Sequence, residues 1–465
     1  MGEQVARRAP SVVPQEAELL ELAEHVVRLA RRGGADAADV LLDSGTEFSV
    51  TVRRGQVEKL LEASSRGLGL RVFRGGRCAL AYTSDLAPAA LAAFVERTLD
   101  LAAVADPDPC AGLPEPAAWA PPQPTDLAID DPQLPQVTAE QKIELARRCE
   151  EAAFAFDPRV TNSDGATFSS EYGVRVLVNS AGFAGAYRAS GCSLVMEAVV
   201  DDAAGKKRNA HWYTAARAFQ DLEPPEAVGR RAAERALRQL GARKVATQTV
   251  PVVWDPLAGR AFLAHLARAM TGDALYRRAT FLLDQEGREV ASPLVTLIDD
   301  ATLRGGLRSR PFDGEGATSR RNEVVVQGVF RGFLLDTYSA RKTGRQTTAN
   351  AVRGVGSAPS PGTTNFYLAA GPSRPEEIIA SVDRGLYVTD TMGFGWNLTT
   401  GDFSQGAAGL WIERGEFAYP VSEINISGNL KAMLRDIDMV GNDLEFRSAT
   451  AAPTFRIARL VVSGL

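Results

Sequence analysis

The chain has 465 residues, 45% hydrophobic and 23% charged, an ordinary globular composition with room for two or three domains. Lys and Arg number 52 against 57 acids, so the net charge of −5 lacks the basic excess of a duplex nucleic-acid binder, and no direct nucleic-acid contact is expected. No stretch approaches the roughly 18 uncharged apolar residues of a membrane span, and Arg7 and Arg8 have no apolar run behind them, which points to a cytoplasmic protein without membrane contact.

Residues 1–15 show no periodicity and read as a flexible N-terminus. Over 16–32, Leu19, Leu22, Val26 and Leu29 recur at helical spacing, and Gly33-Gly34 supplies the stop. His25 falls on the polar side of that pattern. Short β-like runs follow (ADVLLDS, TEFSVTVRRG, QVEKLLEASS, GLGLRVFRGG, RCALAYTS), read as separated by Gly- and Ser-rich turns. Ser84 and Asp85 offer an N-cap to a second helix, closing an N-terminal α+β domain at 16–105. Nine of the chain's 25 prolines lie between Pro107 and Pro135, so 106–137 reads as an extended connector draped over a surface.

A central α+β domain at 138–245 repeats the helix-then-strands order. Thr138 and Gln141 resemble a capping box, opening a helix to about Ala155; a strand meander and a helix from Pro225 to Leu240 follow. His211-Trp212-Tyr213 reads as a surface or interface cluster. From 246 to 465 the texture changes. VPVVWD runs into a helix capped by Asp255 and ended by Gly272, PEEIIASVDRG reads as one short helix, and the remainder is β-rich, a curved sheet or barrel. The fold class is α+β.

Known catalytic signatures are missing. There is no Gly-x-Ser-x-Gly elbow, no phosphate-cradling Gly-x-x-x-x-Gly-Lys-Ser/Thr, no Gly-x-Gly-x-x-Gly and no His-Glu-x-x-His. The four Cys form no CxxC pair and all precede residue 193, and only three His exist, so zinc ligands are scarce. The adjacent carboxylates Asp201-Asp202 and Asp299-Asp300 read as solvated turn charges. Ser339–Asn350, rich in Arg and Thr with Gly344 inside it, reads as a mobile loop beside a chamber or partner interface.

The last third carries a resemblance. Asn365-Phe366-Tyr367-Leu368, Thr389–Asn397 (TDTMGFGWN), Thr400–Ser404 (TGDFS), Gly406–Gly409, Tyr419–Ile424 (YPVSEI), Gly428-Asn429-Leu430 and Val440–Asp443 stand in the order that resembles the TldD/PmbA family, also called modulators of DNA gyrase. The order is most similar to the PmbA (TldE) branch, and the likeness covers the chain from about residue 16. The resemblance implies a zinc-dependent peptidase of two related chains. The TldD chain holds zinc on a His-Glu-x-x-x-His helix with a further ligand from its C-terminal domain. The PmbA chain shares the fold without the metal site. Together they enclose a cavity for unfolded peptides, which lie as an added strand, and members mature peptide antibiotics and degrade an antitoxin.

On that resemblance the metal helix corresponds to FLAHLARAM, residues 262–270. With His265 as first ligand, Leu266 replaces the general-base Glu and Met270 replaces the second His. A Leu cannot activate a zinc-bound water, and a thioether is a poor zinc ligand. Leu263, Leu266 and Met270 instead form an apolar stripe facing the core, with His265 beside it; a site built from His265 and distant carboxylates is the competing possibility. No catalytic residue and no cofactor are expected in this chain, zinc being expected in a TldD-like partner. The alternative partner is a second copy, in a homodimeric peptide-binding scaffold that cuts nothing; a hydrolase with an unrecognised nucleophile is a third possibility. Gly393–Ser404 (GFGWNLTTGDFS) is expected to shape the peptide-facing wall, with Trp396 as an apolar platform, Asn397 and Thr400 as hydrogen-bonding groups, and Asp402 fixing the turn; the same features equally suit a tight structural turn.

Overall fold

The computed structural model describes residues 16–119 and 126–464. The expected flexible terminus and Pro121, Pro122 and Pro124 of the connector lie outside the described residues. Helix α1 (Glu16–Arg32) buries Leu19, Ala23, Val26 and Ala30 on one face. Its chain reverses at Gly34, whose φ of +95° suits glycine.

Three strands and a helix follow: β1 (Ala37–Arg53), β2 (Gln56–Arg74), β3 (Arg77–Thr83) and α2 (Pro88–Val104). The second set is α3 (Ala139–Phe156), β4 (Val160–Asn179), β5 (Ala184–Asp201), β6 (Lys207–Ala216) and α4 (Pro225–Leu237). Both sets run helix, three strands, helix. They share one antiparallel sheet in the order β3-β2-β1-β4-β5-β6.

The expected breaks at internal glycines do not occur. Gly45 faces Gly173 across the β1–β4 ladder, and a Cβ on it would stand 2.9 Å from the Tyr172 carbonyl oxygen. Gly69 lies under the backbone of Val355, whose carbonyl oxygen would be 2.0 Å from an added Cβ. These glycines allow close approach within long strands; the turn between β1 and β2 is Arg54-Gly55, both at positive φ.

Alternation along the strands sorts the two faces. On one face α1 and α2 cover Val40, Leu42, Val174 and Val176, while α3 and α4 cover Val50, Phe168, Leu194 and Met196. On the other face Leu41 and Leu177 meet Phe312 of the C-terminal part. The α3 capping box forms as expected: the Thr138 side chain accepts from Gln141 N–H, and Gln141 accepts from Thr138 N–H. The expected α2 cap does not form. Ala87 is its N-cap and has no side-chain acceptor; Asp85 accepts from the Ala87 N–H at 3.1 Å instead, and Pro88 at the first position has no N–H to satisfy.

The C-terminal part contains β7 (Gln248–Trp254), α5 (Pro256–Arg268), β8 (Arg384–Met392), β9 (Asp402–Glu413), β10 (Glu416–Asn429) and β11 (Phe455–Ser463). The strands pair in the order β10-β9-β8-β7-β11, and β10 also pairs with β11, closing a five-stranded barrel. A separate sheet of short strands includes Leu297–Asp300 and Phe366–Leu368. The α+β class with a β-rich C-terminal domain is therefore the observed one. Asp255 caps α5 as expected, its Oδ1 accepting from Leu257 N–H at 2.8 Å, but the helix stops at Arg268, and Gly272 begins a short separate helix, Gly272–Tyr276.

Two other expectations are corrected. Asp299 is fully buried in a strand and accepts hydrogen bonds from Thr364 N–H (2.6 Å), Thr364 Oγ1 (2.9 Å) and Asn350 Nδ2 (2.7 Å), and Asp300 is also buried. Ser339–Asn350 is not a free loop. Thr337–Lys342 is helical, Ser339 and Asn350 are fully buried, and Arg341 Nη2 donates to the Leu113 carbonyl at 2.6 Å. Asp201 is exposed beside Lys207, as a turn charge should be, whereas Asp202 is held by Arg208 at 2.7 Å with little exposure. Among the described residues no helix is long and apolar enough to cross a membrane.

Candidate functional site

Helix α5 packs beside the barrel. Phe262 meets Trp254 (ring centroids 5.1 Å apart), Trp396 (5.5 Å), Phe455 (6.0 Å) and Phe403 (6.4 Å), and Trp254 stacks on Phe455 within 5° of parallel. Leu263 and Leu266 on the helix and Met270 just past its end are buried in the same core, so the expected apolar stripe is present. Leu266 and Met270, the residues that the resemblance sets against the Glu and the second His, therefore lie in hydrocarbon.

His265 sits beside the stripe, half-buried. Its ring stacks on Trp396 at 4.8 Å and 19°, and it makes no hydrogen bond or ion pair with a described residue. Burial, reinforced by the positive charge of Arg268, pushes its pKa below the ordinary imidazole value. One neutral-leaning imidazole against an indole is a poor donor set for Zn²⁺, which takes three or four N, S or O ligands. Among the described residues no group of three or more His, Cys, Asp and Glu is placed to hold a metal ion.

The GFGWNLTTGDFS segment joins β8 to β9. Gly395 lies against the backbone of Ser404, where an added Cβ would overlap the carbonyl oxygen at 1.5 Å, and Ser404 N–H donates to Gly395 O at 2.8 Å. The polar side chains expected to line the peptide wall bond mainly to one another. Asn397 Oδ1 accepts from Thr399 and Thr400 N–H at 3.1 and 3.2 Å. Thr400 Oγ1 donates to Asp402 Oδ2 at 2.7 Å, and Asn429 Nδ2 donates to Asp402 Oδ1 at 3.1 Å. These bonds hold Asp402 below the ordinary carboxylate range, Thr400 contributing most. Asn397, Thr400 and Asp402 thus build the turn and are exposed, while Trp396 fills space between His265, Phe262 and Phe403. At the tip, Phe394 is fully exposed and Met392 is 59% exposed.

A second buried constellation escaped the sequence. Asp39 of β1 accepts from Arg71 Nη2 (2.5 Å) and Arg353 Nη1 (2.8 Å), and Arg71 reaches Glu315 at 3.4 Å. Burial raises the Asp39 pKa, yet the two guanidiniums outweigh it and hold the carboxyl below its ordinary value. Next to it, burial and the adjacent Glu315 push Asp313 up to about 6, although it accepts from the N–H groups of Glu315, Ala317 and Ala351. Asp39 and Arg71 are 32 residues apart, and Glu315 and Arg353 come 244 and 314 residues after the partners they join, so no local pattern announces the cluster.

The comparisons agree with this architecture. Three models of the PmbA/TldA metallopeptidase match in order: domain 1 at residues 38–102, the central domain at 132–240 and the C-terminal domain at 247–464. The chain is 37% identical to the metalloprotease PmbA of Escherichia coli O157:H7, with 99% of each covered. The chain belongs to the PmbA/TldD family. It is 26% identical to a metalloprotease TldD homolog of Haemophilus influenzae, over 88% of this chain and 86% of that one. A Bacteroides thetaiotaomicron structure described as a modulator of DNA gyrase superposes with a TM-score of 0.90 at 29% identity, covering 96% of this chain and 99% of that one. Within this PmbA/TldD fold, α5 is the helix on which the resemblance places the metal motif, and here it presents His265, Leu266 and Met270.

Proposed function

We propose that this chain is the PmbA (TldE)-type subunit of a two-chain zinc metallopeptidase acting on unfolded peptides, that it binds no catalytic zinc, and that a TldD-type chain supplies the metal. One observation carries this reading: α5 offers a single imidazole, stacked on Trp396, and buries Leu266 and Met270 where a base and a second ligand would stand. The higher identity to a PmbA protein than to a TldD homolog supports the same branch. In this reading the turn of Asn397, Thr400 and Asp402 is a positioning device. It holds Trp396 against α5 and projects the Phe394 tip, the part of the segment free to touch peptide or partner.

The test is a peptidase assay on unfolded casein fragments with this chain alone, with a TldD-type chain bearing His-Glu-x-x-x-His, and with both. Activity appearing only in the mixture supports the proposal. Full activity of this chain alone refutes it, and no gain on mixing, with this chain running as a dimer of itself, favours the homodimeric scaffold.

A further inference from the structure

At the opposite end of α5 from His265, a cleft of about 740 Å³ opens between β6 and α4 on one side and the first turn of α5 with residues 443–454 on the other. Trp212 of β6 lies beneath three guanidiniums, those of Arg447 (4.4 Å to the ring centroid), Arg231 (5.2 Å) and Arg235 (5.6 Å). Each of these is already paired: Arg447 with Glu223 and Glu445, Arg235 with Asp255 at 3.2 Å, Arg231 with Glu234 at 3.5 Å.

Arg260 differs. It stands on the first turn and a half of α5, 5.7 Å from the Tyr213 ring, lines the same cleft, and has no carboxylate or hydrogen-bond partner among the described residues. Its Nε is buried without an acceptor, and so are Tyr213 Oη and Trp212 Nε1, both on residues lining the cleft. A buried donor left unpaired costs about 1–3 kcal/mol. Trp212 and Tyr213 are neighbours on β6 and point to opposite faces of the strand, so Arg260 and Tyr213 share one side. The guanidinium can only donate, and the Tyr213 hydroxyl can donate as well, so an acceptor serves both. A guanidinium fork matches a planar oxyanion, while the acids already in the wall disfavour a multiply charged one.

We propose that this cleft binds a carboxylate-bearing ligand, with Arg260 as its charged anchor and Tyr213 as a further donor. The volume lies within the range that encloses a small molecule or the last residues of a peptide. Both a peptide C-terminus and a free small carboxylic acid carry the required group. The inference does not rest on the peptidase reading, because it uses a different wall of the molecule.

The experiment is calorimetric titration of the full chain with three probes: a tetrapeptide with a free C-terminus, the same peptide amidated, and butyrate. The proposal expects the free peptide or butyrate to bind, and amidation to weaken the peptide by about tenfold or more. Binding of the peptide supports a peptide terminus as the source; binding of butyrate alone supports a small acid. In Arg260→Met, with an unchanged circular-dichroism spectrum, affinity should fall by about tenfold, and in Tyr213→Phe by a few fold. Equal binding of the acid and the amide, no binding of either acid up to about 10 mM, or undiminished binding by folded Arg260→Met overturns it. The acid-against-amide comparison decides the matter even where a variant does not fold.

Discussion

The barrel beside α5 and the seam between the long sheet and the C-terminal part are both buried, and they are made of opposite materials. At the barrel, Trp254, Phe262, Phe403 and Phe455 fill the space, with His265 and Trp396 closing its edge. At the seam, Asp39, Arg71, Arg353, Glu315 and Asp313 meet with almost no exposure. Hydrocarbon packing is stabilising by itself, roughly in proportion to area. A buried ion cluster offsets its desolvation only while every member is present. The helix that resembles a metal helix is therefore held by packing, and the chain's buried charge holds two parts of the fold in register.

The comparison breaks if the two regions respond alike. Asp39→Ala leaves Arg71 and Arg353 without their shared carboxylate and is expected to cost about 3–5 kcal/mol. Phe262→Ala opens a void among four aromatic rings and is expected to cost about 3–5 kcal/mol as well. Urea denaturation at pH 5 and pH 8 separates them: the cost of Phe262→Ala should be the same at both values, whereas that of Asp39→Ala should change with the ionisation of its neighbours. A pH-independent Asp39→Ala would mean that the seam is not electrostatically coupled.

A smaller effect sharpens the same contrast. Asp313 has a folded pKa of about 6 against an ordinary 3.8, with burial as the main cause, Glu315 adding to it and Arg310 opposing. A carboxyl raised in the fold contributes stability that is fully present below its unfolded pKa and is lost as pH rises through the folded value. Relative to Asp313→Asn, the parent protein should therefore lose stability between about pH 4 and pH 6 and change little above. A parent-minus-variant difference that is flat across that window contradicts this assignment. The smallest expected effect lies away from both regions: Thr138→Ala removes one side of the α3 capping box and should cost about 1 kcal/mol at any pH.

What the sequence made legible was local. The Asp255 cap, the Thr138–Gln141 box and the Leu263, Leu266, Met270 stripe follow from spacing within one turn or two of helix, and all three are present. What it hid was non-local. Gly45 read as a turn residue because nothing nearby in the chain reveals that Gly173 must pass close to it, and nothing near Gly69 announces Val355. Asp299 read as solvated because Asn350 and Thr364, which satisfy it, come 51 and 65 residues later. Ser339–Asn350 read as mobile for want of apolar residues, yet Asp336, Leu113 and Glu286 supply hydrogen bonds in their place. At the candidate site, Trp396, Asn397, Thr400 and Asp402 were found together, but their mutual bonding was not foreseeable from order alone.

The central claim is that α5 is a packing helix and not a metal helix. Its most direct measurement is the zinc content of the purified full chain by elemental analysis after exposure to excess zinc and gel filtration. The account predicts well under one equivalent per chain, unchanged in His265→Ala. About one tightly bound zinc per chain, lost in His265→Ala while the fold is retained, would contradict it.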